Sequence, residues 1–299
     1  MKTPPFLQKG DKIAITAAAR KISANQIKNG IAAIEQMGFV PVISKSIGAE
    51  HFIFAGNDEL RCSEFQALLN TPEIKAIWLA RGGYGSIRIL DQLDWSHFIK
   101  NPKWIIGFSD VTNLLAKVND LGFDCIHGPM PKTLSHDFED DVSFNLLQGL
   151  LTNKSAQINW KASENCKSGT TTAQIIGGNL ASLAHLNGAL SNDFFDNKIL
   201  FIEDIDEYLY QIDRMLRGMK LSGKLQRLKG ILVGDFTDLK DNDEPFGESL
   251  EQIILNLFSD LEIPIAFGFK AGHESVNWPI QLGKTHTLSN KNGYWSLKP

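Results

Sequence analysis

The chain reads as an α/β protein: an N-terminal, mostly parallel sheet flanked by helices, followed by a second, mixed α+β domain. Three observations predict this. Short β-branched runs alternate with runs of helical period over 12–130, a rhythm that builds a parallel sheet covered on both faces. The composition turns polar, rich in Ser, Thr, Asn and Lys, around 151–172, as an interdomain segment does. Beyond it the alternation loses its regularity, and the tail from Ile265 breaks into several short strand-like runs. The expected organisation is 1–150, a linker over 151–172 with room for a strand of its own, and 173–299. A length of 299 residues allows each domain a core of its own.

The elements follow in order. KIAITAA (12–18) is a strand, and ANQIKNGIAAIEQMG (24–38) has its apolar residues at helical spacing. FVPVI (39–43) is the second strand. Asn57 is a capping residue for a helix over 57–70, whose apolar positions fall three and four apart. IKAIWLA (74–80) is a strand that runs into a Gly-rich turn, RGGYGS (81–86), and a helix, IRILDQL (87–93). KWIIGF (103–108) is the next strand, DVTNLLAKVNDLG (110–122) its helix, and DCIHGPM (124–130) a last strand with its exit loop. In the second half QIIGGN (174–179) reads as a turn and LASLAHLNGAL (180–190) as a short helix. KILFIED (198–204) and GILVGDF (230–236) are strands. EYLYQIDRMLRGMKLSG (207–223) is an amphipathic helix stopped at Gly223, and GESLEQIILNLFSD (247–260) is another helix. In a parallel sheet of this kind the groups that do chemistry collect at the carboxyl ends of the strands.

Composition narrows the function. The chain is 43% hydrophobic and 21% charged, with a net charge of −4. No basic block is present to hold a nucleic acid or an acidic membrane surface, and no apolar run approaches the roughly 18 residues that span a bilayer. The first residues lack the layout of a signal peptide, which predicts a cytoplasmic protein. Cys62, Cys125 and Cys166 are odd in number and far apart, so neither a disulfide framework nor a zinc ribbon is expected. His51, His97, His136, His185 and His286 show no ligand spacing, and no metal and no cofactor are expected. His127, at a strand end, is a candidate pocket wall.

Four segments can carry chemistry. In WIIGFSDVTNLL a strand runs through Gly107 and Phe108 into Ser109 and Asp110, and a helix begins at once. A Ser at such a turn exposes its hydroxyl beside free helix amides, which is the layout of a nucleophile with an oxyanion site. Val111 stands where the second glycine of G-x-S-x-G would be, and a helix cap at Ser109 or Asp110 is the alternative. RGGYGS either bares backbone amides to an anion or makes a tight turn; its Gly83 could lie beside Ser109. Glu203, directly after an apolar strand, could orient a base, while Asp204, Asp206 and Glu207 favour the start of the next helix. His273, in the Gly-flanked run GFKAGHESVNWPIQLG (268–283), is the best candidate for that base.

With these segments in place the chain resembles the LD-carboxypeptidase family, the muramoyltetrapeptide carboxypeptidases. The resemblance rests on KGDKIAITAAAR, RGGYGSIRILDQLDW, IIGFSDVTNLL, IHGPM, IIGGNLASLAHLNG, ILFIEDIDEYLYQIDRML, GILVGDF and the GH…N…P…G run from Gly272 to Gly283, all in the family's order. Two features depart from it: Glu274 follows His273 where the family often has a small residue, and Trp278 precedes Pro279. The resemblance implies a two-domain serine peptidase whose triad, Ser109, Glu203 and His273, is assembled from both domains. It places the oxyanion donors on the backbone amides of Gly83 and Asp110. A free terminal carboxylate would be met near Gly82 and Arg81, with Arg88 as an alternative cation.

The implied reaction is acyl transfer that removes the terminal D-Ala from a murein-derived tetrapeptide in the cytoplasm during cell-wall recycling. The implied assembly is a homodimer. Two rivals stand beside this reading: a sister peptidase of the same family that gives immunity to a peptide-nucleotide antibiotic such as microcin C, and a non-catalytic peptide-binding protein.

Overall fold

The computed structural model describes residues 1–135, 137–138 and 141–299; His136, set aside above, lies outside them. Two compact units divide the chain, Met1–Ser155 with Trp278–Gln281, and Ala156–Asn277 with Leu282–Pro299.

The first unit holds a six-stranded sheet. Its strands are β1 (Lys12–Thr16), β2 (Val40–Ile43), β3 (Ile74–Leu79), β4 (Trp104–Gly107), β5 (Cys125–His127) and, returning late in the chain, β11 (Ile280–Leu282), in the order β11-β5-β4-β3-β1-β2. The pairs from β2 to β5 are all parallel. Helices α1 (Lys28–Gln36), α2 (Asp58–Asn70), α3 (Ser96–Lys100), α4 (Thr112–Asp120) and α5 (Val142–Leu151) complete the unit. β3 is buried at every residue but Lys75, as a strand covered on both faces must be. The apolar side chains of Trp78 and Trp104 are fully buried, and each indole N–H finds a carbonyl, Pro129 O at 2.8 Å and Pro5 O at 3.0 Å. Asn57 caps α2 as expected, its Oδ1 accepting from Leu60 N at 2.9 Å.

The second unit holds a seven-stranded sheet. Its strands are β6 (Ile158–Lys161), β7 (Thr170–Asn179), β8 (Ile199–Ile205), β9 (Gly230–Thr237), β10 (Ile265–Ala266), β12 (Thr285–Lys291) and β13 (Tyr294–Lys298), in the order β10-β9-β8-β7-β12-β13-β6. Half is parallel, from β10 to β7, and half antiparallel, from β7 to β6. Helices α6 (Leu180–Leu186), α7 (Leu209–Leu221) and α8 (Leu250–Leu257) belong to it. The mixed character expected of the second half is therefore literal: one sheet of two kinds.

Three local expectations differ from the structure. IRILDQL forms two 3₁₀ turns, Ser86–Arg88 and Leu90–Gln92, in place of one helix. QIIGGN is the end of β7; its glycines answer a close approach, since a Cβ on Gly177 would collide with the Phe201 carbonyl of β8. The polar stretch 151–172 does hold a strand of its own, β6, and also the start of β7. Finally, α5 was not expected, although its buried Phe144, Leu147, Leu150 and Leu151 fall three and four apart and Asp141 caps it, Oδ1 accepting from Ser143 N at 2.7 Å.

Candidate active site

Within the first unit, β4 delivers the chain to an elbow. Phe108 is extended, and Ser109 then takes φ +61° in the left-handed region, a costly conformation for a residue with a Cβ. A 3₁₀ turn over Ser109–Val111 leads into α4. The hydroxyl of half-buried Ser109 is thereby turned out of the strand at the carboxyl edge of the sheet. The capping alternative does not hold, because neither Ser109 nor Asp110 bonds its side chain to the helix start.

Asp110 looks elsewhere. Its carboxylate accepts from Gly85 N (3.2 Å) and Ser86 N (2.9 Å), and its carbonyl accepts from Ser86 Oγ (2.6 Å) and Asn113 Nδ2 (2.9 Å). This clamp fastens RGGYGS to the elbow. Burial raises the Asp110 carboxyl above its usual range, against the pull of the Ser86 and Gly85 hydrogen bonds and of Arg61. Buried Arg61 braces the same turn, donating to Gly85 O (2.8 Å) and Ala18 O (2.6 Å) and pairing with Asp58. Sequence reasoning passed over Arg61, since nothing local distinguishes it from the other polar residues of α2.

The clamp brings Gly82 against the serine. A Cβ at Gly82 would lie 2.9 Å from Ser109 Cβ, 3.0 Å from its Oγ and 3.3 Å from Asp110 N, so only glycine lets the backbone run this close. Arg81 donates through Nη1 to Lys21 O at 3.0 Å. Gly83, at φ +113°, lies under the stem of Arg20. Arg88 is not available as a free cation, because it holds Asp58 through Nε (2.9 Å) and Nη2 (2.6 Å). Buried His127 packs its ring edge-on to Phe108, centroids 5.9 Å apart.

Within the second unit, β8 places Glu203 and Asp204 side by side, and a register shift against β9 between Ile202 and Asp204 marks a bulge. A bulge re-aims the side chains around it, and these two carboxylates do different work. Glu203 is fully buried, and its Oε2 lies 2.8 Å from His273 Nδ1. Asp204 serves the start of α6, accepting from Ala181 N (2.9 Å) and from Asn179 Nδ2 (2.7 Å). Burial and the neighbouring Glu203 charge push Asp204 up to about 6. Asp206 pairs with Lys240, so the four acids do not share the single helix-start role offered as their alternative.

Burial by itself would lower the His273 imidazole. The hydrogen bond and charge of Glu203, with a contribution from Asp204, outweigh it and hold His273 above its ordinary 6.5. A carboxylate at Nδ1 makes that nitrogen the donor and leaves Nε2 with its lone pair. The loop is held by Gly272 N donating to Asn277 Oδ1 at 3.3 Å. The chemistry of the pair is that of an oriented general base. Among the described residues no group of His, Cys, Asp and Glu is placed to hold a metal ion, and no helix is long and apolar enough to cross a membrane.

Comparison with known proteins bears on both units. The family model described as the LD-carboxypeptidase N-terminal domain matches residues 13–128, and the one described as the LD-carboxypeptidase C-terminal domain matches 172–288. The chain is 31% identical to a probable murein peptide carboxypeptidase of Bacillus subtilis, over 94% of this chain and 89% of that protein. Among solved structures it superposes on a muramoyltetrapeptide carboxypeptidase from Oxalobacter formigenes with a TM-score of 0.84 at 27% identity, covering 96% of this chain and 97% of the other. It also superposes on the microcin C7 self-immunity protein MccF in complex with aspartyl sulfamoyl adenosine, with a TM-score of 0.86 over 99% and 98% of the two chains. At 24% identity the latter likeness is one of fold.

Proposed function

The chain belongs to the LD-carboxypeptidase family and is a serine-type carboxypeptidase, and from that premise we propose that Ser109, Glu203 and His273 carry its chemistry. His273 Nε2 takes the proton of Ser109 Oγ as the oxygen attacks the amide between an L-centre and a terminal D-residue. Glu203 holds the imidazole in the required tautomer and stabilises its cation. The backbone amides of Gly83 and Asp110 bind the oxyanion, a contribution of about 3–4 kcal/mol for a single donor in other serine hydrolases. The imidazolium then protonates the leaving D-amino acid, and water, activated by the same base, releases the acyl group from Ser109. Neither a metal nor an organic cofactor enters this scheme.

The observation that carries the reading is the 2.8 Å bond between His273 and a carboxylate with no exposure to solvent. A buried carboxylate spent on one imidazole costs desolvation and serves a base. The substrate we infer is a murein tetrapeptide that loses its terminal D-Ala, in agreement with the name of the Oxalobacter formigenes protein. We place the reaction in cytoplasmic wall recycling and the enzyme in a homodimer.

The test is a product assay on muropeptides of defined length. Ser109→Ala should lower kcat by about 10⁶, and adding His273→Ala should cost little more, because members of one unit are not additive. Full activity in Ser109→Ala ends the reading. Turnover of an aminoacyl sulfamoyl adenosine with no turnover of the tetrapeptide moves the enzyme to the immunity class, and peptide binding without turnover moves it to the binding class.

A further inference from the structure

We propose that Arg20, Arg81 and Lys132 form a subsite beside the Gly82–Gly83 turn that binds the free terminal carboxylate of the residue to be released. The proposal rests on the reading of Ser109 as nucleophile and adds what makes the site act only at a chain end.

The placement comes from three strand ends of one unit. Arg20 follows β1, Arg81 follows β3, and Lys132 is fixed to the end of β3 by its amide, which donates to Ala80 O at 3.1 Å. The Arg81 guanidinium reaches Lys21 O at 3.0 Å, next to Arg20. Consecutive glycines then lie between serine and arginine. The missing Cβ of Gly82 faces Ser109, and that of Gly83 faces Arg20, whose Cδ would be 2.6 Å away. The Arg20 stem therefore stands one backbone thickness from the candidate nucleophile, with Arg81 and Lys132 near enough to Arg20 to feel its charge.

Among the described residues their charge is uncompensated: none of the three forms an ion pair, whereas neighbouring Lys21 is paired with Glu50 and Arg88 with Asp58. The Arg81 Nε is buried and without a partner. Arg20 and Lys132 are exposed. Burial and then mutual repulsion lower the affinity of Arg81 and Lys132 for their protons. Like charges gathered without a counter-charge disfavour the empty state and favour an anion, and a guanidinium offers a carboxylate two parallel donors. An exopeptidase needs such a contact at the terminus, and an amide or an extended chain cannot supply its charge.

The test uses full-length enzyme and three tetrapeptides: the free acid, its C-terminal amide, and the free acid with an internal carboxylate amidated. Cleavage of none by the wild type would strike the proposed function itself. For the subsite, wild type should prefer acid to amide, and Arg20→Gln and Lys132→Gln should each lower the acid-to-amide ratio of kcat/KM by about 10- to 100-fold, through KM. Arg20→Lys should restore part of it. Both glutamine variants alter exposed side chains, so their folding is checked by their thermal transitions; Arg81→Gln is the secondary variant, since it also loses Lys21 O. An unchanged ratio in both variants overturns the subsite, and so does a loss that follows the internal carboxylate instead of the terminal one.

Discussion

Replacing Glu203 by Gln removes one charge from a site that excludes water and leaves shape nearly intact. His273 has 15% of its side chain exposed and Glu203 none. Two opposing influences act on the imidazole: burial, the larger single one, disfavours the cation, and the Glu203 bond and charge favour it. A charge-assisted bond contributes about 1.5–3 kcal/mol and a neutral one about 1, and about 1.4 kcal/mol is a tenfold change in an equilibrium. With the charge gone, burial prevails, and the imidazole should fall from above 6.5 to below it. The acidic limb of kcat/KM against pH should move to lower pH. The plateau should drop by about 10³- to 10⁴-fold, because Gln can also present its NH₂ to Nδ1 and select the wrong tautomer. Stability gives a second readout. A folded-state value raised above the unfolded one contributes stability below about pH 6.5, and this is lost as pH rises through the folded value; Glu203→Gln should flatten that part of a Tm–pH curve. A limb that stays at its wild-type pH, with a plateau within tenfold of wild type, would refute the reasoning.

Other outcomes follow from the same contacts. Gly82→Ala places a methyl 2.9 Å from Ser109 Cβ and should cut kcat by about 10²-fold through misplacement of the hydroxyl; a fully active variant would mean that the turn is not held against the serine. Asp110→Asn leaves one of the Gly85 and Ser86 amides facing an NH₂ and should cost about 1–3 kcal/mol in urea unfolding, with no loss if the clamp is absent. Asp204, held near 6 against 3.8 for an ordinary Asp, binds more protons folded than unfolded, so its contribution to stability should decline as pH rises from about 4 to about 6; residue-resolved carboxyl NMR showing it ionised at pH 4.5 would contradict this. Exhaustive chelation should leave activity intact, and a loss reversed by added zinc would place a metal in the reaction.

The sequence was most informative where structure is local. A β-branched run, a glycine and an abrupt helix locate the Ser109 elbow without any knowledge of its neighbours. The strand ending in Glu203 and the Gly-flanked His273 are equally local, although their bond joins residues 70 apart. What stayed hidden is held by contacts between distant segments. Asp110 reads as a helix cap because caps are the commonest use of Asp there, and only the folded chain brings Gly85 and Ser86 to it. Gly177-Gly178 reads as a turn because paired glycines usually mark one, while the collision they avoid is with a different strand. Arg88 was a plausible free cation in the sequence until Asp58 was found beside it. Arg20 and Lys132 carried no signal at all, being ordinary surface types whose proximity depends on the strand order.

The return of Trp278–Gln281 to the first unit has a consequence for how the protein can be made and divided. In ribosomal order, the sheet that carries Ser109 is open at its β5 edge until almost the whole chain has emerged, because its last strand is encoded after nearly all of the second unit. The gap is more than a missing strand: buried Asp124, which accepts from Thr3 Oγ1 (2.6 Å), also waits for Gln281 Nε2 (2.9 Å). A fragment cut at Ser155 therefore bears an unpaired sheet edge and a half-satisfied buried acid, the conditions that invite association with other chains. All of the second unit but its last segment, Leu282–Pro299, lies between the two pieces of the first. A soluble version of the serine-bearing half calls for grafting 278–282 back onto it, and a simple truncation will not supply one.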